Sequence, residues 1–217
     1  MTRGQRRGRF LTVEGGEGAG KSTQMDVIES MLRERGLPVL RTREPGGTPL
    51  AEEIRGLLLA PREERVVELT ELLLVFAART QHVAACIEPA LARGDWVLCD
   101  RFVDATLAYQ GAGRGMSTDT IARLRELTLD SFVPDFTLLL DVPVARGLER
   151  ASARGERDRF ERESASFHER VRGCYLRLAE QEPERISVVD AGAGIHEVTA
   201  AVRAAIGRFL DRAGVWP

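Results

Sequence analysis

A glycine-rich loop that directly follows a short apolar segment constrains this chain more than any other feature. Residues Phe10 to Glu14 are apolar or β-branched up to the final glutamate and predict a buried strand. Gly15, four further residues and then Gly20-Lys21-Ser22 fit the pattern G-x-x-x-x-G-K-[ST]. The glycines allow backbone N–H groups to surround an anion, and the helix predicted over residues 23–35 adds its positive N-terminus. The sequence therefore predicts a phosphate-binding loop between a strand and a helix.

The basic residues of the chain support this prediction. Lysine and arginine together number 31, but Lys21 in the loop is the only lysine. A compact ammonium group among phosphates is a role in which the planar guanidinium is a poor substitute. We expect Lys21 to contact the β- and γ-phosphates of a nucleotide and the Ser22 hydroxyl to ligate Mg²⁺. The alternative is a glycine-rich turn that binds nothing.

Short apolar strands alternate with helical segments along the rest of the chain. Strands are predicted at residues 10–14, 38–42, 96–100, 136–141 and 186–190. Helices are predicted at residues 23–35, 49–59, 65–92, 117–130, 143–153, 162–181 and 195–212. This alternation is typical of an α/β fold, and we expect a doubly wound five-stranded parallel sheet flanked by helices. Ligands bind such sheets at the carboxyl ends of the strands.

Composition narrows the classes of function. A net charge of -2 and a pI near 6.0 argue against a general nucleic-acid binder. The three cysteines lack C-x-x-C spacing and the three histidines lack an H-E-x-x-H arrangement, so neither a disulfide framework nor a zinc site is expected. No apolar run approaches about 18 residues. We expect a cytoplasmic protein with no membrane or nucleic-acid partner, consisting of a single domain over residues 10–217 after a flexible tail over residues 1–9.

Charged residues follow the second and third predicted strands. Arg43 lies beside the turn at residues 44–47 and is suited to bind a second anion, although a solvated arginine beside a turn is the alternative. Asp100 and Arg101 end the third strand, opposite the glycine-rich loop. They could bind metal-bound water and clamp a phosphate respectively, unless they form an interior ion pair.

Aromatic and amide groups are expected near the same cleft. Phe76 and Arg79 are three residues apart on a predicted helix and therefore share a face, where they could frame a flat ring. A core phenylalanine with a snorkelling arginine is the alternative. Tyr109 and Gln110, downstream of the third strand, are expected to bring a ring and an amide towards this cleft.

An arginine-dense segment interrupted by glycine follows the fourth predicted strand. A lid at about residues 146–163 would look like this, because a transferring phosphoryl group spreads negative charge that guanidinium groups stabilise. Acidic residues are interleaved with the arginines, so a solvated, ion-paired surface is the alternative.

These motifs, taken in order, resemble those of the thymidylate kinase family. Besides the glycine-rich loop, the resemblance rests on Thr42-Arg43-Glu44-Pro45-Gly46-Gly47-Thr48, Phe76-Ala77-Ala78-Arg79, Asp100-Arg101-Phe102 with Ala108-Tyr109-Gln110, and Asp158-Arg159-Phe160-Glu161. It extends from Phe10 to Leu210. It implies the nucleoside monophosphate kinase fold of the P-loop NTPases and a homodimer. It also implies Mg²⁺-dependent transfer of a phosphoryl group from ATP to dTMP, giving dTDP and ADP.

The resemblance also implies roles for individual residues. The positions that match ATP-binding residues are Gly15, Gly16, Glu17, Gly18, Ala19, Gly20, Lys21, Ser22 and Thr23. Those that match dTMP-binding residues are Glu17, Arg43, Phe76, Arg79, Arg101, Thr106, Tyr109, Gln110 and Glu161, of which Arg43 and Arg101 would grip the phosphate. Lys21, Arg101, Arg154 and Arg159 match catalytic positions, and Ser22 and Asp100 match metal-binding positions.

The base-binding part of the resemblance has one departure. Phe76 would stack on thymine and Arg79 would bond its O4. Ala105 stands where many members have a serine, so Thr106 or a water would have to bond thymine N3. The glycine-rich loop has no arginine, whereas arginines crowd residues 150–162, and this resembles the bacterial members in which the lid supplies the catalytic arginine.

Two other functions remain open from the sequence. A regulatory GTPase would need an N-K-x-D guanine reader, but the chain has no asparagine and no second lysine. Its D-x-x-G sequence, Asp211 to Gly214, lies in the C-terminal tail rather than at a strand end. A monophosphate kinase for another base is the second alternative.

Overall fold

Five parallel strands form one sheet in the computed structural model, which describes residues 7–153 and 158–215. The strands are β1 (Phe10–Gly15), β2 (Val39–Arg43), β3 (Trp96–Asp100), β4 (Phe136–Asp141) and β5 (Ile186–Asp190), in the spatial order β2-β3-β1-β4-β5. The chain therefore builds β2 and β3 on one side of β1 and β4 and β5 on the other, and the carboxyl end of β1 lies at the crevice where such sheets bind ligands. The predicted doubly wound α/β fold is confirmed.

Helices flank this sheet on both faces. The α-helices are α1 (Lys21–Glu34), α2 (Pro49–Leu59), α3 (Glu68–His82), α4 (Glu88–Ala92), α5 (Val103–Thr106), α6 (Thr118–Leu129), α7 (Val144–Ser152), α8 (Ala165–Gln181) and α9 (Ile195–Arg212). Two π-helical segments, Val83–Ile87 and Leu107–Gly113, follow α3 and α5.

Two helical regions differ from the prediction. The single helix predicted over residues 65–92 begins at Glu68 and is widened by a π-helical segment before α4. Pro89 lies at the start of α4 and explains the interruption, because proline has no N–H to donate and its ring crowds the preceding turn. The helical run from Val103 to Gly113 was not predicted, since its glycines indicated a turn.

β1, β3 and β4, the inner strands, are mostly apolar on both faces, as expected for a parallel sheet covered on both sides. On one face, Leu11, Val13 and Leu138 pack with residues of α1 and α9 such as Ile28 and Ile206, all of them buried. On the other face, Phe10, Val97 and Phe102 pack with residues of α3, α4 and α6. This rigid support fixes the strand ends that carry the polar groups described below.

The residues just before β1 belong to the fold. The Gly8 N–H donates to the Leu91 carbonyl oxygen at 2.8 Å, and the Arg9 carbonyl oxygen accepts from the Val97 N–H at 2.8 Å. The prediction of a loose tail over residues 1–9 is therefore wrong for Gly8 and Arg9, whereas residues 1–6 lie outside the described part. Within the described residues, no helix combines the length and apolar character needed to span a bilayer.

Candidate active site

A cavity of about 250 Å³ opens at the carboxyl ends of β1 and β3. The predicted site residues that line it are Glu17, Gly18, Ala19, Gly20, Lys21, Ser22, Arg79, Asp100, Arg101, Thr106, Tyr109, Gln110 and Glu161. The predicted residues absent from its lining are Gly15, Gly16, Thr23, Arg43, Phe76 and Arg159. Arg154 lies outside the described residues.

The glycine-rich loop connects β1 to α1 in a conformation that requires glycine. Gly18 and Gly20 have φ angles of 67° and 85°, in the left-handed region that side chains disfavour. The Lys21 Nζ atom lies 3.3 Å from the carbonyl oxygens of Gly15 and Gly16 and so folds back over the loop. Burial, followed by the neighbouring charge of Arg101, lowers the pKa of Lys21. A bound anion would offset both effects, as expected of a phosphate-binding lysine.

Arg101 is held at the tip of β3 with its side chain beside the glycine-rich loop. Its backbone has a φ of 67°, which is uncommon for a residue with a side chain and persists only where surrounding contacts enforce it. The Arg101 N–H donates to the Val13 carbonyl oxygen at 3.0 Å, and the next N–H, of Phe102, donates to a carboxyl oxygen of Glu14 at 2.7 Å. The backbone N–H groups of Arg101 and Phe102 are therefore both hydrogen-bonded to residues of β1.

The Arg101 guanidinium uses three of its five N–H groups on protein acceptors. Nη1 donates to the Gly15 carbonyl oxygen at 2.9 Å and to the Tyr175 hydroxyl oxygen at 3.2 Å, and Nη2 donates to Glu17 at 2.9 Å. The guanidinium also lies over the Tyr109 ring, 4.8 Å from its centroid. Nε–H and one Nη2 N–H remain without a protein acceptor in the described residues, so the group can still bind an anion.

Glu17 is the carboxylate partner of this arginine within the cavity. It also accepts a hydrogen bond of 2.6 Å from the Tyr109 hydroxyl. Burial alone would raise the pKa of Glu17, but Arg101 and Lys21 outweigh burial and lower that pKa to about 2. Glu17 is therefore ionised at neutral pH and can accept a hydrogen bond from a ligand hydroxyl.

Asp100 and Ser22 both line the cavity and fit the predicted magnesium site. The Oδ1 atom of Asp100 is buried and has no hydrogen-bond partner among the described residues. Such an oxygen beside a hydroxyl suits Mg²⁺, which usually takes one or two protein oxygens and completes its octahedron with water and phosphate. The described residues contain no group of three or more His, Cys, Asp or Glu side chains that could hold a metal ion alone. Any Mg²⁺ here would therefore depend on nucleotide phosphates.

Arg79 occupies the other end of the cavity, where it is 2% exposed. Nε donates to Glu44 at 2.6 Å, Nη1 donates to the Thr106 hydroxyl at 2.8 Å, and Nη2 donates to the Phe102 carbonyl oxygen at 3.1 Å. His82 contacts the second carboxyl oxygen of Glu44 at 3.0 Å. The network fixes the guanidinium and leaves it two N–H groups for a ligand.

Phe76 does not lie at the cavity, contrary to the prediction. Its ring is buried and packs beneath the Arg79 guanidinium, 5.3 Å from centroid to Cζ. Val75 lines the cavity instead, because residues four apart on a helix lie closer to one line than residues three apart. The apolar surface offered to a flat ring is therefore that of Val75 and Phe102.

Arg43 is also displaced from its predicted position. It pairs with Glu52 of α2 at 2.8 Å, and its side chain is 54% exposed. Arg55 of α2 lines the cavity in its place, held by a 2.9 Å hydrogen bond from Nη1 to the Pro45 carbonyl oxygen. Burial, followed by the charge of Arg43, lowers the pKa of Arg55. A bound anion would offset both effects.

A signal for Arg55 was present in the sequence. Ala51 and Leu58 are buried residues of α2, four positions before and three positions after Arg55. An arginine on the apolar face of a helix has to find an internal partner. The sequence argument did not consider the arginines of this helix and therefore missed Arg55.

Arg159 is anchored away from the cavity. Its Nη1 pairs with Glu71 of α3 at 2.7 Å, its Nε donates to the Leu58 carbonyl oxygen at 2.8 Å, and its guanidinium lies over the Phe160 ring. Glu71 also accepts from Gln110 at 2.8 Å. Arg159 thus joins the residues that precede α8 to α3, and it does not line the cavity in this arrangement. The first part of the predicted lid, from residue 146 to Ser152, belongs to α7.

Glu14 and Tyr175 complete the site and were missed by the sequence argument. Glu14 is fully buried at the end of β1, where its carboxyl accepts from the Phe102 N–H and, at 2.7 Å, from the Tyr175 hydroxyl. Burial, followed by the charge of Asp104, raises the pKa of Glu14 to about 8. Its partners lie just after β3 and on α8, so no local sequence pattern could have identified them.

Comparison with known proteins connects this geometry to a family. The family model described as thymidylate kinase matches residues 13–202. A thymidylate kinase of Teredinibacter turnerae is 57% identical over 203 residues, which cover 94% of this chain and 99% of that protein. One from Pseudomonas putida is 55% identical over 203 residues, 94% of this chain and 98% of that protein. The crystal structure of thymidylate kinase from Ehrlichia chaffeensis matches with a TM-score of 0.73 and 32% identity, covering 94% of this chain and 99% of that chain.

Proposed function

The chain belongs to the thymidylate kinase family, and we propose that it transfers the γ-phosphoryl group of ATP to dTMP, giving dTDP and ADP. One observation carries the proposal. A single cavity joins a glycine-rich phosphate loop to a buried guanidinium, Arg79, that retains free N–H groups at the opposite end. A nucleoside monophosphate fits this arrangement, because it has an anion at one end and a hydrogen-bonding ring at the other.

The glycine-rich loop, residues 15–23, binds the ATP phosphates in this proposal. Lys21 holds the β- and γ-phosphates from the start of α1, whose N-terminus adds a positive field. Ser22 and Asp100 would hold Mg²⁺, which supplies charge neutralisation on the phosphate oxygens when bound. The orphaned Oδ1 atom of Asp100 supports this assignment.

The phosphate of dTMP binds Arg101 and Arg55. Both guanidinium groups line the cavity, and both retain N–H groups beyond those used on protein acceptors. Their orientation is fixed before the substrate arrives, so little rotamer freedom is lost on binding. Glu17 and Glu161 lie where they can accept from sugar hydroxyls, and Tyr109 offers its ring to the deoxyribose.

Arg79 reads the base. It offers donors only, and thymine presents the acceptor O4 at the matching edge, whereas cytosine presents an amino donor. Thr106 can offer its hydroxyl hydrogen to the ligand or to a water, since its oxygen already accepts from Arg79. Gln110 borders the same end of the cavity, anchored through its amide nitrogen to Glu71. Val75 and Phe102 supply the apolar surface under the ring.

The transition-state arginine is assigned to Arg154 rather than to Arg159. Arg159 is committed to Glu71 and to the Leu58 carbonyl oxygen. Arg154 follows α7, which approaches the glycine-rich loop closely, since an added Cβ on Gly147 would lie 2.4 Å from the Glu17 carbonyl oxygen.

A second copy of the chain covers an apolar patch on three helices. The patch consists of exposed leucines on α2, α3 and α6, namely Leu50, Leu57, Leu69, Leu73 and Leu127. α3 packs against both α2 and α6, so the leucines lie on neighbouring helices. Such a patch on one protein surface is typical of an interface. Light scattering should give a dimer that Leu73→Glu dissociates, whereas the matched Val188→Glu on β5 should remain dimeric.

One assay tests the proposed reaction against both alternatives. ATP-dependent phosphorylation is measured across dTMP, dUMP, dCMP, dGMP and AMP, with formation of ADP and of the nucleoside diphosphate followed together. We expect the highest kcat/KM for dTMP, with dUMP poorer by roughly the value of one methyl group, on the order of 1 kcal/mol. A higher kcat/KM for another monophosphate would indicate a monophosphate kinase for a different base. Hydrolysis of GTP in the absence of a nucleotide acceptor would instead indicate a regulatory GTPase.

A further inference from the structure

Tyr175 lies on α8, far along the chain from the phosphate-binding residues, yet its hydroxyl reaches the centre of the site. The side chain is 3% exposed and packs with Phe167, Val171 and Tyr109. Its hydroxyl donates to Glu14 at 2.7 Å and accepts from Arg101 Nη1 at 3.2 Å. The group is too deeply buried for its hydroxyl to be bound mainly by solvent.

The two hydrogen bonds of this hydroxyl are linked. A phenol has a single hydrogen, and Glu14 accepts it. The oxygen is then left to act only as an acceptor towards Arg101, which has donors only. Glu14 cannot turn away easily, because its other carboxyl oxygen accepts from the Phe102 N–H at 2.7 Å.

The second hydrogen of Arg101 Nη1 is fixed by the Gly15 carbonyl oxygen. Tyr175 and Gly15 therefore occupy both hydrogens of this nitrogen, and Glu17 occupies one on Nη2. The Nε–H and the remaining Nη2 N–H are the groups left for a ligand. A guanidinium held at three points in this way keeps its last two donors in a fixed orientation.

We propose that Tyr175, oriented by Glu14, is a positioning residue for phosphoryl transfer, because its hydroxyl oxygen holds the Arg101 guanidinium in the orientation that grips the dTMP phosphate. The inference rests on the proposed function, in which Arg101 binds that phosphate. Tyr175 does not touch the substrate. It also ties α8 to the carboxyl ends of β1 and β3, and α8 follows the segment that carries Asp158, Phe160 and Glu161 at the cavity.

A double-mutant cycle on dTMP affinity tests the inference with the full chain. Calorimetry gives the Kd for dTMP of the wild type, Tyr175→Phe, Arg101→Ala and the double variant. We expect Tyr175→Phe to raise Kd roughly 3- to 10-fold, the loss of one hydrogen bond. Arg101→Ala should raise it on the order of 100-fold, the loss of a charge-assisted pair. In the Arg101→Ala background, Tyr175→Phe should change Kd by less than about 2-fold, because a residue that acts through Arg101 has nothing left to position.

Arg172→Gln is the matched control on the same helix. Arg172 lies one turn before Tyr175 and pairs with Asp141 at 2.7 Å, so its loss disturbs α8 without touching Arg101. Its Kd for dTMP should equal that of the wild type. Circular dichroism and thermal melts of every variant show whether the fold is retained, and the cycle compares folded variants only.

The outcomes separate this inference from the proposed function. An unchanged Kd in Arg101→Ala would overturn both. A weakened Kd in Arg101→Ala, together with a Tyr175→Phe effect that is absent or equal in the two backgrounds, would overturn the positioning role alone. A weakened Kd in Arg172→Gln as large as that in Tyr175→Phe would also overturn it, since any disturbance of α8 would then have the same effect.

Discussion

Glu17 and Glu71 are both held by arginines, but of these two carboxylates only Glu17 lines the cavity. Glu17 pairs with Arg101 in the phosphate floor, which we define as Lys21, Glu17 and Arg101. Glu71 pairs with Arg114 and Arg159 in the lid base, which we define as Glu71, Arg114 and Arg159. The arginine of the floor keeps N–H groups for a ligand, whereas the lid base lines no part of the cavity. The acceptors around an arginine, rather than the motif that contains it, therefore indicate its task.

Lys21→Arg should have the largest effect, and it tests the floor. The charge is unchanged, but the planar group cannot fold over the loop carbonyls as the ammonium does. We expect kcat to fall by at least about 10², as for loss of a transition-state contact. The melting temperature should change little. Retention of more than about a tenth of wild-type kcat would mean that geometry at this position is unimportant.

Arg55→Ala and Arg43→Ala form a matched pair that tests which of these two arginines binds the dTMP phosphate beside the phosphate floor. Arg55 faces the cavity, and its loss should raise the KM for dTMP roughly 10- to 100-fold, as for removal of a charge-assisted hydrogen bond. Arg43 is half exposed and paired with Glu52, so its loss should change KM by less than about 3-fold. If steady-state kinetics instead showed the larger rise in the KM for dTMP in Arg43→Ala, Arg43 would be the phosphate ligand.

The sequence was sufficient to predict the fold, because strands and the glycine-rich loop are each encoded by consecutive residues. β3, β4 and β5 have the predicted boundaries, because each is a short, mostly apolar run that ends at an aspartate. The glycine-rich loop was predictable in the same way, since all of its residues are consecutive. The helix predicted at residues 65–92 was started too early, since it begins at Glu68, and its π-helical interruption was missed because the effect of Pro89 was not considered.

The site was predictable only where its geometry is local. Phe76 was selected because it lies three residues from Arg79 and has a ring, although the structure buries that ring beneath the Arg79 guanidinium. The direction of Arg159 depends on Glu71, and that of Arg101 on Tyr175, and both partners are distant in the sequence. Neither pairing leaves a periodic or compositional signal. Side-chain partners in the tertiary structure, rather than residue types, decide these assignments.

Arg159→Ala tests the lid base. The lost ion pair leaves Glu71 with Arg114 and Gln110, while one nitrogen of Arg159, Nη2, is buried without a partner among the described residues. The net cost should therefore be modest, about 1–3 kcal/mol, which lowers Tm by roughly 2–10 °C. We expect kcat to fall less than about tenfold. A fall of roughly 10² to 10⁴ with unchanged Tm would instead make Arg159 a transition-state arginine.

Glu14→Gln tests a contrast between two neighbouring glutamates, because the pKa of Glu17 is lowered to about 2 whereas that of Glu14 is raised to about 8. The folded-state pKa of Glu14 is raised from 4.5 to about 8 by burial and by Asp104, although Arg101 and Tyr175 oppose this. The unfolded chain then releases a proton that the folded chain retains, so this group lowers stability as pH rises from about 4.5 to about 8. Between pH 5 and 7 the wild type should lose roughly 2–3 kcal/mol relative to Glu14→Gln, measured by urea unfolding. A parallel pH dependence in the two proteins would show that Glu14 ionises normally.

The central claim is that the cavity binds a thymine nucleotide by its phosphate at the floor and by its base at Arg79. The most direct measurement is the ratio of kcat/KM for dTMP to that for dCMP, in the wild type and in Arg79→Ala. A ratio is insensitive to the fraction of folded enzyme, so loss of the Glu44 network does not obscure the result. We predict a wild-type ratio of at least roughly 10 to 100, because cytosine would place its donor against a buried guanidinium. In Arg79→Ala the ratio should fall towards 1. The same ratio in both proteins would contradict the account, because Arg79 would then have no part in reading the base.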